Sequence, residues 1–170
     1  MSWLWRALAG ALVSLTVYAQ TALAAASPNT NPAGQQIVIS LSRQMLVLTD
    51  SGGSVVLQTP ITSGGPFTPT PLGVYSVLAK RTDWIMQSPW PIGDWRYYPD
   101  SHINYSLLFQ WSGYFMHDAA WRSIYGAGSN LLYAPGTTIP GTHGCVNVPL
   151  AAAAKLYNWA SLGTPVIVSP

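Results

Sequence analysis

The sequence predicts a mostly β fold with one helix near its C-terminal end, and three observations carry that prediction. Short runs of aliphatic and β-branched residues recur from Ile37 onward, separated by clusters of Gly, Pro, Asp and Ser. Along Gly73 to Lys80, Val74, Ser76 and Leu78 fall on one face and Tyr75, Val77 and Ala79 on the other, the period of a strand. Only Pro149 to Trp159 combines a helical apolar stripe with a start and a stop signal.

In order, Ile37 to Leu41 and Met45 to Thr49 form the first two strands, joined by a tight turn at Ser42, Arg43 and Gln44. Asp50 to Gly53 supplies the next turn, Ser54 to Thr62 a third strand and Gly73 to Lys80 a fourth. Strands at such short spacing predict an antiparallel architecture. Ser63 to Leu72, with Gly64, Gly65, Pro66, Pro69 and Pro71, cannot continue a ladder and is a stiff loop, scaffold rather than chemistry.

Arg81 to Ser101 is the least regular stretch, with Trp84, Trp90, Trp95, Tyr97 and Tyr98 among three prolines. Its rings either cover the core and a sheet edge or form an aromatic rim for a ligand. Tyr105 to Gln110 and Gly113 to His117 read as a hairpin turning at Trp111 and Ser112, which delivers His117 to a strand end. His102 reads as an exposed loop histidine.

Pro149 suits the first helical turn, Gly163 the stop, and Asn147 or Val148 the cap, where the Asn147 side chain would brace the turn before it. Leu150, Ala153, Ala154, Tyr157 and Ala160 make the apolar stripe, and Thr164 to Val168 returns as a last strand.

The N-terminal segment places Arg6 before an apolar run, Ala7 to Tyr18, and then small residues at Ala22 to Ala26, so residues 1–26 read as a secretory signal peptide. An uncleaved membrane anchor is the alternative. Residues 27–36 read as a flexible linker and 37–170 as one domain. The chain is expected to be exported to the periplasm or cell wall.

Charged residues make up 7% of the 170 and none is glutamate, which excludes a pair of catalytic glutamates, and the five aspartates are scattered. A formal charge of +2 gives no basic patch for nucleic acid. Binding must therefore rest on shape, hydrogen bonds and aromatic contact, and no stable protein partner is implied.

Cys145 is the only cysteine, so no internal disulfide is open to it. His143 lies two residues before it, with Gly144 between, and His117 ends an upstream strand. A thiol acts through its thiolate and needs a base, which a histidine on a neighbouring strand can supply. His117 is thus the expected base and His143 part of the wall, with Gly144 allowing close approach of substrate to the backbone. A metal site built from His117, His143 and Cys145 lacks the paired spacing of zinc modules, and no cofactor is expected.

Thr142-His143-Gly144-Cys145-Val146-Asn147 resembles at every position the signature of the L,D-transpeptidase catalytic domain, the YkuD domain: Ser or Thr, His-Gly-Cys, an apolar residue, then Asn or Arg. Similarity extends from about Ile37 to Val168 through Thr68 to Gly73, Phe115 to Ala119 and Gly163 to Val168. The resemblance implies a β-sandwich with one helix towards the C-terminus. It also implies acyl transfer through a Cys145 thioester between donor and acceptor peptidoglycan stem peptides, or, as an alternative, hydrolysis of those stems as a carboxypeptidase.

It implies further that the Asp118 carbonyl orients His117 and that backbone amides around His143, Gly144 and Cys145 stabilise the oxyanion. Tyr105 matches a position close to the family's pocket. The 24 residues between His117 and Thr142 exceed the family's usual spacing, which suggests an insertion around Tyr125 to Pro140 that forms a rim or lid.

Overall fold

The computed structural model describes residues 34–170; the expected signal peptide and most of the linker lie outside the described residues. Nine strands are arranged in two sheets. β1 (Gln36–Ser40), β2 (Met45–Thr49), β3 (Val55–Pro60), β4 (Gly73–Ser76) and β9 (Pro165–Ser169) form the first, in the order β3-β2-β1-β9-β4. β5 (Ala79–Met86), β6 (Ser101–Gln110), β7 (Tyr114–Asp118) and β8 (Val146–Val148) form the second, in that order, and α1 (Leu150–Trp159) packs on it.

The alternating apolar residues of both sheets meet in one core, Ile37, Ile39, Leu46, Leu48 and Val166 from the first against Leu107, Phe109, Met116 and Val146 from the second. Tyr75 and Phe109 bridge the sheets edge to face, ring centroids 5.6 Å apart. The described residues adopt the expected mostly β fold with one α-helix.

The antiparallel expectation holds for the hairpins and fails at two pairings. β9 runs parallel to β1, and β8 parallel to β7. Both join strands separated by long stretches of chain, so a crossover rather than a turn connects them.

The expected fourth strand is two strands. Val77 N–H donates to the Thr164 carbonyl and Leu78 N–H to the Leu108 carbonyl, so the chain passes from one sheet to the other within two residues. β5 then continues to Met86, through the stretch expected to be irregular. It is an edge strand, and the charged residues Lys80, Arg81 and Asp83 among its eight hid its apolar alternation.

The third strand stops at Pro60, which has no N–H to donate. Thr62 then pairs with Asn147 along the free edge of β8, N–H to carbonyl in both directions at 3.0 and 2.8 Å. Gln44, in the first tight turn, is fully buried and exchanges hydrogen bonds with Ser63 on that same segment.

In α1, Ala153 and Leu156 are the buried residues, while Leu150 is exposed, so the stripe is rotated from the expected one. Pro149 itself occupies the cap position and no side chain caps the helix, which leaves Asn147 free for other work.

Candidate active site

The parallel pairing of β7 with β8 sets the site. His117 lies opposite Asn147, and Cys145, two positions earlier, points to the same face, the one turned away from the core. Over that face lies a cavity of about 410 Å³, lined by His117, Trp121, Arg122, His143, Cys145 and Asn147 among others. Tyr98 to His102 and Pro135 to Thr137 complete its walls.

His117 is buried beneath it. Its Nδ1 lies 2.7 Å from the backbone carbonyl of Asp118, and its Nε2 lies 3.2 Å from Asn147 Nδ2. The Asp118 carboxylate is turned the other way, accepting from Asn104 Nδ2 and the Tyr105 amide. Burial pushes the imidazole below its ordinary pKa, as does the Arg122 charge, against the opposing pull of the Asp118 carbonyl and carboxylate.

Cys145 is half-buried beside the cavity. Phe115 N–H donates to Sγ at 3.5 Å, and Sγ faces the Gly113 carbonyl at 3.8 Å. Burial of the sulfur raises its pKa to about 11, so the resting group is the thiol. No hydrogen bond joins Sγ to His117 among the described residues; the two groups share the cavity from adjacent strands.

The residues before Cys145 form a tight bend. Gly144 takes φ +106, a conformation glycine adopts readily, and a Cβ there would lie 2.4 Å from Tyr114 Cε1. The Tyr114 ring and its own backbone conformation therefore each require a glycine there. Thr142 Oγ1 donates to the Cys145 carbonyl at 2.5 Å and accepts from Gly144 N–H at 3.0 Å. That commits the Gly144 amide, one of three expected around the oxyanion; the amides of His143 and Cys145 have no hydrogen-bond partner among the described residues.

His143 is a wall residue. Its ring lies 4.9 Å from that of Tyr98 and 5.5 Å from that of Trp90, and burial lowers its pKa. Part of the aromatic stretch therefore does rim the cavity, while Trp84 covers the sheet, donating to Ser106 and packing on Phe115.

Three expectations need correction. Tyr105 does not line the cavity: strand alternation turns its ring to the core side, 5.5 Å from the Tyr157 ring of α1. Asn147 braces His117 and Arg122 rather than capping the helix. His102 is on β6 rather than in a loop, exposed, with Nε2 2.7 Å from Asp83 Oδ1. Among the described residues no three His, Cys, Asp or Glu side chains converge to hold a metal ion.

The Ser63 to Leu72 loop supports the motif more directly than its proline content suggested. Thr70 Oγ1 accepts from Gly64 N–H and donates to the Gly144 carbonyl, and Thr68 Oγ1 donates to the Thr142 carbonyl. The loop leads into β4 of the first sheet, not into the sheet that carries His117 and Cys145. Arg122 was also missed; it is buried, donating Nε–H to Asn147 Oδ1 at 3.2 Å and an Nη2–H to the Gly141 carbonyl at 2.6 Å. Trp121 beside it faces the His117 ring at 6.1 Å.

The long segment before the motif is tied down at Tyr125 Oη to the Ala119 carbonyl and Ser129 Oγ to the Ile61 carbonyl. Thr138 Oγ1 donates to the Trp95 carbonyl at 2.6 Å, joining this segment to the aromatic stretch.

Residues 34–168 match the family model of the L,D-transpeptidase catalytic domain. Probable L,D-transpeptidase 3 of Mycobacterium tuberculosis is 30% identical over 115 residues, 64% of this chain and 37% of that protein. L,D-transpeptidase 1 of the same organism is 26% identical over 134 residues, 77% of this chain and 49% of that protein. The chain thus spans less than half the length of these relatives. The catalytic domain of E. faecium L,D-transpeptidase acylated by ertapenem superposes with a TM-score of 0.63 at 33% identity, over 81% of this chain and 98% of that one.

Proposed function

The chain belongs to the L,D-transpeptidase catalytic domain family, and on that premise we propose that it is an exported cysteine acyltransferase that cross-links peptidoglycan stem peptides through a Cys145 thioester. The observation that carries this reading is the placement of a buried histidine on β7 and of the only thiol directly before the adjacent β8, both lining one cavity.

His117 accepts the thiol proton at Nε2, whose lone pair gives up its Asn147 hydrogen bond, as Sγ attacks the carbonyl carbon of the donor peptide bond. With the thiol raised to about 11 and the imidazole lowered, the resting pair is neutral, so proton transfer accompanies attack. The oxyanion is met by the Cys145 amide, a contribution of about 3 kcal/mol per donor in comparable sites. The C–N bond then breaks, His117 returns its proton to the departing amine, and the thioester remains. An amine from the acceptor stem repeats the sequence in reverse: it attacks the thioester, His117 takes its proton, and Sγ leaves as the thiol.

The test is intact-mass analysis after incubation with a carbapenem, a class whose member ertapenem acylates the E. faecium relative. One adduct mapped to Cys145 and lost in Cys145→Ala is the expected result. A free thiol in folded protein overturns the proposal. With tetrapeptide stems as substrate, a linked dimer identifies transpeptidation, and a shortened monomer identifies the carboxypeptidase alternative.

A further inference from the structure

The hydrogen-bond chain that ends at His117 begins at a group outside the signature motif. A guanidinium has donors only, so the Asn147 oxygen must face Arg122 Nε, at 3.2 Å, and the Asn147 NH2 group must then face His117 Nε2, also at 3.2 Å. At the other side of the ring the Asp118 carbonyl is an acceptor only, 2.7 Å away, so Nδ1 must carry a proton. Asn147 is 3% exposed, which leaves little room for solvent to take either role. Donor at one end and acceptor at the other leave one arrangement in between, a neutral ring with its lone pair on Nε2.

We infer that Arg122 is a positioning residue: by fixing which end of the Asn147 amide meets His117, it holds the imidazole neutral and ready to accept a proton at Nε2. The inference rests on the proposed role of His117 as the base. Arg122 reaches Asn147 because its other arm is held by the Gly141 carbonyl, one residue before the signature motif, at 2.6 Å. It forms no ion pair among the described residues; the Arg–carboxylate pair there joins Arg96 to Asp94.

Without Arg122 the Asn147 amide is free to rotate and offer its oxygen to a protonated Nε2, which favours imidazolium. The other titratable groups around the ring are Asp118 on its own strand, Tyr125 in the following segment, Cys145 before β8, and His102, Asp100, Tyr98 and His143 on the remaining cavity walls. β6 places the non-titrating Ser106 opposite it.

The test is side-chain ¹H–¹⁵N correlation spectroscopy of the three histidines across pH. It reads the resting ring whether or not any substrate turns over, so its failure is distinct from failure of the proposed reaction. In the native protein His117 should show the Nδ1–H tautomer. Both Arg122→Met and Asn147→Ala should raise its pKa, by about one pH unit, and move the acid limb of Cys145 acylation upward with it.

Arg122→Met added to Asn147→Ala should shift the pKa by less than half as much as it does in the native background. An equal shift in both backgrounds means that Arg122 acts by charge alone and overturns the inference. So does an unmoved pKa in Asn147→Ala, or an Arg122→Met protein changed only in KM.

Discussion

Thr70→Val isolates the support that the 63–72 loop gives to the Cys145 turn. The substitution keeps the side-chain shape and removes one hydroxyl. Thr70 is 2% exposed, and its Oγ1 accepts from Gly64 N–H at 2.9 Å and donates to the Gly144 carbonyl at 2.8 Å. Valine strands the buried Gly64 N–H, at about 1–3 kcal/mol, and removes a hydrogen bond worth about 1 kcal/mol. The sum, about 2–4 kcal/mol, corresponds to a fall in Tm of roughly 6–15 °C for a domain of this size.

Thermal denaturation followed by circular dichroism measures this, and carbapenem acylation measured in parallel should slow, because the Gly144 carbonyl is no longer held. Thr70→Ser, which keeps the hydroxyl, should recover most of both losses. A Thr70→Val protein with native Tm and native acylation would refute the claim that this hydroxyl holds the Cys145 turn.

Gly144→Ala combines a left-handed backbone with a Cβ 2.4 Å from the Tyr114 ring, so it should lower stability by more than the roughly 1–3 kcal/mol of backbone strain alone; adding Tyr114→Leu should recover only the contact part, read by denaturant unfolding. His117 is held neutral, so below about pH 6.5 the unfolded chain takes up a proton that the folded one resists, and stability should fall as pH drops through that range. Cys145, raised to about 11, acts at the other end: the unfolded thiol ionises first, so stability should fall above about pH 8.5, and Cys145→Ser should flatten that limb in a Tm-against-pH series. Tyr105→Leu should lower Tm through lost packing on Tyr157 while leaving the acylation rate native, and a slowed reaction at native Tm would put Tyr105 back in the site.

The strand runs, the helix and the thiol and histidine that share the cavity were legible because each rests on a local signal: alternation, an apolar stripe, or an uncommon residue type in a dense motif. What stayed hidden was non-local. Parallel pairing of β1 with β9 depends on the two ends of the fold meeting, which no window of sequence contains. The passage of the chain between sheets after Ser76 leaves the alternation unbroken, so it reads as one strand.

Arg122 looked like any surface arginine, since its partners, Gly141 and Asn147, lie 19 and 25 residues away. Thr68 and Thr70 were visible as alternating threonines between prolines, a pattern with hydroxyls at regular spacing, yet their acceptors are 74 residues distant. Tyr105 misled because it was placed by resemblance of position; it is Ser106, the next residue on β6, that pairs with His117, so Tyr105 falls on the opposite face.

The two residues that tie the sheets together have a thermodynamic consequence. Val77 and Leu78 are successive links of one backbone, and each donates its N–H to a different ladder. Neither layer can slide on the other without tearing one of those links, so the layer bearing the thiol cannot loosen while its companion stays intact. Loss of chemistry on heating and loss of structure should then be a single event, with no folded but inert form between them.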